Sequence, residues 1–185
     1  MKSKILAIFA ASLMCSTAAH AADQTWTFSF TGFYNDATQS FDNTYSIGGA
    51  FTGSDRNADG TIDSGEISSF VVDGVDYANC SNPGIPYFHC GLSAFSYAHG
   101  ALNFGTSMSS SDPEGIVSRG QEITSGVQEY RYLNAPSGWS DNTMHWTADT
   151  RFDLTSPVPE ADTYAMLLAG FAGLGVLARR RRNAA

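Results

Sequence analysis

Thr25-Trp26-Thr27-Phe28-Ser29-Phe30-Thr31-Gly32-Phe33 places Trp26, Phe28 and Phe30 on one side of the chain and Thr25, Thr27, Ser29 and Thr31 on the other. A period of two belongs to an extended chain whose successive side chains leave by opposite faces, so the stretch predicts a half-buried strand. The pattern recurs downstream, where Tyr45, Ile47, Gly49 and Phe51 share one face of a second strand. Shorter runs continue it at 67–72, 92–97, 101–104, 122–132, 143–147 and 151–155, separated by turn residues such as Asp73-Gly74, His99-Gly100, Asp112-Pro113-Glu114-Gly115 and the segment 134–142. No stretch of the body has a sustained helical period with a cap, and eighteen glycines suit turns better than helices. The expected fold class is all-β, an antiparallel sandwich or jelly roll over residues 22–156. The Gly/Ser-rich segment 105–115 reads as a mobile loop, and no internal repeat is visible.

Working outward, the ends are of different composition. Lys2 and Lys4 precede an apolar run, Ile5 to Cys15, and Ala19-His20-Ala21 offers small residues around a cleavage point before Ala22. This is the layout of a secretory signal peptide over 1–21, and the run is too short for a spanning anchor. Acylation at Cys15 fits less well, because Ser12-Leu13-Met14 is a poor context for it. Beyond the signal only Cys80 and Cys90 remain, an even count in a chain bound for an oxidising compartment, so they are expected to form a disulfide.

The other end reads Val158-Pro159-Glu160-Ala161-Asp162-Thr163-Tyr164, then an apolar run to Ala178, then Arg179-Arg180-Arg181-Arg182. A helix over 164–178 would be roughly 22 Å long against a hydrocarbon core of about 30 Å, a poor permanent anchor. The four arginines act as a stop-transfer signal and hold that end in the cytoplasm, which leaves everything before Val158 facing outward. These three features, in this order over 157–185, resemble the PEP-CTERM sorting signal. Pro159-Glu160 matches the motif, while Ala161 stands where a second proline is usual. The resemblance implies recognition at Val158, Pro159 and Glu160 by an exosortase, a membrane cysteine peptidase of diderm bacteria that often make exopolysaccharide. It further implies transient anchoring in the inner membrane and release to the cell surface or the extracellular space. A plain C-terminal tail anchor is the alternative.

Without its ends the chain is strongly acidic. Residues 22–157 hold four arginines against sixteen Asp or Glu, a net charge of −12. Such a surface repels phosphate backbones and anionic lipid, so nucleic acid is not expected as a partner, whereas cations and neutral glycans are acceptable. Plain solubility explains the same charge.

Some of that charge is organised. Asp55-Arg56-Asn57-Ala58-Asp59-Gly60-Thr61-Ile62-Asp63-Ser64-Gly65-Glu66 fits the calcium-loop pattern D-x-[DN]-x-[DN]-G-x5-E. Oxygens of Asp55, Asn57 and Asp59 would surround a hard cation and Thr61 would offer its carbonyl. Asp63 would act through water, Glu66 would close the site with both oxygens, and Gly60 would permit the sharp turn. The flanks are strand-like, so the helix pair of an EF-hand is not expected, and the single copy departs from the paired segments of dockerins, which it otherwise resembles. One structural calcium is the expectation; the alternative is an acidic, solvated turn.

Catalytic signals are missing. His89, His99 and His145 stand without an HExxH, GxSxG or phosphate-loop partner, and no carboxylate pair can be chosen among so many acids. The expected protein is a non-enzymatic envelope or matrix component. The alternative is a module binding extracellular polysaccharide, with Trp139 in the loop Pro136 to Asp141 and the tyrosines as stacking residues, against the commoner use of aromatics as core.

Overall fold

A computed structural model of the chain describes residues 22–80, 86–155 and Phe171. Eleven strands follow in order: β1 (Gln24–Asn35), β2 (Ser40–Gly53), β3 (Thr61–Asp63), β4 (Ile67–Val72), β5 (Val75–Asp76), β6 (Phe88–Ala98), β7 (Ala101–Ser111), β8 (Ser118–Thr124), β9 (Gln128–Ala135), β10 (Gly138–His145) and β11 (Arg151–Thr155). They form one antiparallel sheet in the order β3-β6-β7-β8-β9-β10-β1-β2-β4-β5, with β11 added to β1. All lie in the unit Met1–Thr155; in the second unit, Ser156–Ala185, only Phe171 is described, helical and exposed. The expected signal peptide, sorting residues 158–160, stop-transfer arginines 179–182 and, apart from Phe171, helix 164–178 fall outside the described residues. Among those residues no helix is long and apolar enough to cross a membrane.

The opening stretch decides the core as its pattern requires. Trp26, Phe28 and Phe30 are buried in β1, and a bulge between Thr31 and Phe33 keeps Phe33 inside as well. Gly32 makes that bulge at φ +89°, a conformation L side chains rarely adopt, with the Phe41 ring lying over it. Opposite Phe28 in the register stands Gly49, and a Cβ there would collide with the Phe28 ring and the Val71 carbonyl.

The sheet folds over on itself, so that strands far apart in its order meet face to face. Phe28 of β1 lies 5.7 Å from Phe104 of β7, and Phe51 of β2 lies 5.3 Å from Phe95 of β6. Phe70 of β4 reaches both, at 5.2 Å and 5.0 Å, and Trp26 stacks on Phe51 at 4.8 Å. Each such aromatic contributes about 1.5–3 kcal/mol by leaving water, and each favourable pair roughly 0.5–1.5 kcal/mol more. Ring against ring across the fold is therefore the main apolar term that closes the sheet.

The all-β antiparallel expectation holds, but two separate sheets or a jelly roll do not describe the molecule. A single sheet runs from β6 to β10 as a plain meander, because hairpins this short join neighbours, and continues into β1 by the long-range pairs Tyr34–His145 and Asn35–Met144. Three local readings also change. Residues 105–111, expected as loop, extend β7, because its polar residues face outward in an alternating pattern whose inner members include Thr106. The single run 122–132 is a hairpin, broken at Gly126 (φ +76°). Trp139 lies on β10 instead of in a loop, its strand paired with β9 as far as Gly138–Ala135.

Candidate functional site

Three places in the β-domain carry polar or aromatic chemistry. The first is the acidic loop between β2 and β4. It leaves one half of the folded sheet and lends β3 to the other half, where Thr61 to Asp63 pair with Ser96 to Ala98 of β6. Ile62 is buried and braces it. Its carboxylates are met by backbone N–H groups of the loop itself: Asp55 Oδ2 accepts from Gly60 at 2.8 Å, Asn57 Oδ1 from Asp59 at 2.9 Å, Asp59 Oδ1 from Thr61 at 2.8 Å and Asp63 Oδ1 from Gly65 at 2.7 Å. Glu66, buried, reaches back to the loop's start, accepting from Arg56 at 2.7 Å and Asn57 at 3.1 Å with Oε1 and from Asp63 at 3.3 Å with Oε2. Gly60 (φ +84°) supplies the turn, and Ala58 is left-handed too (φ 60°).

All six expected ligands thus lie on one turn, with Glu66 folded over the residues beside Asp55 and Asn57. Among the described residues no group of three or more His, Cys, Asp or Glu side chains converges closely enough to hold a metal ion. The donor set is of the hard-oxygen type that calcium takes, and the amides holding it are the competitors a cation would displace.

The second place is the outer face of β7 to β10. Along β9, Glu129 is fully buried on one side, and Tyr130 and Tyr132 leave by the other, where they are half-buried. Trp139 stacks on Tyr132 with centroids 5.0 Å apart and planes 8° apart, and keeps 58 % of its surface exposed. Tyr130 lies 6.2 Å from Tyr132, and its hydroxyl donates to Asp141 at 3.4 Å. Burial and the Asp141 charge push the Tyr130 phenol up. The register sets Gly120 beside Tyr132, and a Cβ at that glycine would strike the ring. Next to this platform lies a shallow groove of ≈ 260 Å³, whose walls include His89, Ser107, Ser109, Glu122, Tyr130 and Tyr132.

The third place is inside the fold. Glu129 accepts from Tyr45 of β2 at 2.5 Å, from Gln121 of β8 at 2.5 Å and from Arg131 at 2.5 Å. Arg131 and Gln121 both extend to Asp73, at 2.6 Å and 3.0 Å. A buried anion is thereby paired and hydrogen-bonded, the condition under which burial is tolerated. Burial, then the hydrogen bond and charge of Glu129, push the Tyr45 phenol up. Burial works against the Arg131 charge, but Glu129 outweighs it and holds that guanidinium protonated. The cluster ties β8 and β9 to β2 and to the turn after β4, joining the two halves of the sheet.

Cys80 and Cys90 form the expected disulfide, with Cα atoms 5.6 Å apart. His89 borders the groove, His99 sits in the β6–β7 turn with φ 52°, and His145 bonds Asp36 at 3.0 Å; the three do not gather. Of the aromatic platform only Trp139 was singled out from the sequence. The alternation Tyr130-Arg131-Tyr132 signalled the rest, but without the turn at Gly126 the run had no partner strand. The Glu129 network had no local signal at all.

No curated protein and no solved structure matches the chain. Its end does match: residues 157–182 fit the PEP-CTERM protein-sorting motif, and the chain is a PEP-CTERM-bearing protein.

Proposed function

We propose that this is an exported, non-enzymatic component of the cell envelope or extracellular matrix, delivered through its C-terminal tag and cleaved near Pro159-Glu160. The observation that carries it is the sorting motif at 157–182, which implies a membrane-transiting chain processed as an exosortase substrate. The inner membrane then holds the chain only until release. Mass spectrometry of the secreted form tests this: peptides should end near Glu160, and peptides from 161–185 in secreted material would overturn it.

The acidic loop belongs to the same reading as a structural calcium site, with Asp55, Asn57, Asp59, Thr61, Asp63 and Glu66 as ligands. Supporting it are the spacing, the φ +84° turn at Gly60 and the return of Glu66 over the loop's start. When bound, the cation would offset half the charge of four carboxylates held within twelve residues and would make the turn part of the folding free energy.

A second reading, a carbohydrate-binding module acting on exopolysaccharide, is favoured by one observation: Trp139 of β10 is exposed and stacks on the half-buried Tyr132 of the neighbouring β9 instead of entering the core. Retention by a polysaccharide embedded in a native gel, lost in Trp139→Ala, is the expected result.

A further inference from the structure

We infer that the outer face of β7 to β10 selects a neutral polysaccharide and turns uronate-bearing ones away; this rests on the carbohydrate-binding reading above. Composition of the face carries the argument. Its strands are locked in register, Ser107 beside Glu122 beside Tyr130 beside Thr143, and Ser109 beside Gly120 beside Tyr132 beside Asp141. Across these four strands the register puts no Leu, Ile, Val, Met or Phe on that side, and the apolar side chains that border the groove are confined to Met108 and Cys90 at its β6–β7 end. A protein partner would require an apolar centre, which this face lacks. What it offers instead is flat π surface interleaved with hydroxyl and carboxylate groups. A pyranose fits that alternation, with one axial C–H face for stacking and a rim of hydroxyls for hydrogen bonding.

Geometry limits where the sugar lies. Gly120 leaves the strand without a side chain, so the Tyr132 ring settles over it, and the groove opens next to that ring between Ser107, Ser109 and His89. Ser107, Ser109 and Glu122 make no side-chain hydrogen bond among the described residues and are available to a ligand's hydroxyls. A chain running along the groove would pass from the Tyr132 and Trp139 rings toward β6.

Charge settles the class. Glu122 and Asp141 border the aromatic rings, no Lys or Arg lines the groove, and residues 22–157 are strongly acidic as a whole. Each uronate carboxylate brought to this face adds like charge within a Debye length, whereas an uncharged hexose polymer meets only acceptors for its hydroxyls.

The experiment uses the full chain in mild detergent, run through native gels containing hydroxyethylcellulose or dextran as neutral probes and polygalacturonate or alginate as acidic ones. At least one neutral polymer is expected to bind about tenfold more tightly than either acidic one at low salt, the gap narrowing as salt is raised. Trp139→Ala and Tyr132→Ala should each weaken neutral binding about tenfold, a loss of about 1.4 kcal/mol. Glu122→Lys should raise retention by polygalacturonate. Equal, Trp139-dependent binding of both polymer types would overturn the selectivity and leave the module reading standing. Retention by neutral polymers that is indifferent to Trp139 and Tyr132 would overturn the site. No retention by any of the four probes would overturn the module reading itself.

Discussion

Two groups of carboxylates in this domain are held in opposite ways. In the loop 55–66 each acid is met by amides a few residues away, such as Gly60 on Asp55 and Gly65 on Asp63. Glu129 is met by side chains from elsewhere in the fold, Tyr45 lying 84 positions away in sequence, and its partner Arg131 continues to Asp73, 58 positions away. The first arrangement costs little if broken, because water can replace what the amides supply. In the second the anion itself is fully buried, so water does not replace a partner that Glu129 loses, although Arg131 and Asp73 reach the surface. Proximity in sequence makes an acidic cluster a local device; distance in sequence makes it a fastener between halves of a sheet.

Removing the buried anion should separate the two most sharply. Glu129→Ala leaves the Tyr45 hydroxyl and one Gln121 N–H without their acceptor and a void between the sheet halves, and should cost about 3 kcal/mol in chemical denaturation. Asp59→Ala, measured without calcium, should cost well under half of that; equal losses would erase the distinction. Next in size is the metal. At a hundredfold excess over its dissociation constant, calcium should stabilise the domain by about 2.7 kcal/mol, an effect abolished by Glu66→Gln. The same melting temperature in calcium and in chelator would leave the loop as a solvated turn.

Smaller again is the turn itself. Gly60→Ala forces an alanine to φ +84° and should destabilise by about 1–2 kcal/mol, seen as a shift in denaturation midpoint at unchanged slope. The smallest effect is one that acid removes. Burial raises the Asp76 pKa, but the Asn79 amide, the Phe70 N–H, the Ser69 hydroxyl and the Ala78 N–H outweigh it and hold the carboxyl below its ordinary 3.8. A folded-state pKa below the unfolded one gives stability that is full above the unfolded value and lost as pH falls through the folded value. Asp76→Asn should therefore remove that stability at neutral pH and flatten the acid limb, the variant and the parent converging below about pH 4. An unaltered acid limb would show that these local bonds contribute nothing.

The same division explains what could be read in advance. Trp26, Phe28 and Phe30 announced an inward face because alternation is a property of neighbours, and 67–72 and 151–155 were bounded correctly for the same reason. The Asp55 to Glu66 turn was legible since each of its contacts lies within a dozen residues. Hidden from the sequence were features made by long-range pairing: the continuation of β10 into β1, the single sheet, and the Glu129 network. Polar strands were the other blind spot. Residues 105–111 look like loop, and 138–141 look like turn, because an outward-facing strand lacks the apolar members that make alternation visible.

One last consequence follows from β6. It borders the sheet, and β3 covers only Ser96 to Ala98 of its eleven residues. Lower down, the ladder slips between Leu92 and Ala94, and Cys90 is tied covalently to Cys80. A three-residue cover, an irregularity and a tether break up this margin of β6 as a template onto which another chain could add itself. Pairing of two copies through β6 is thus discouraged.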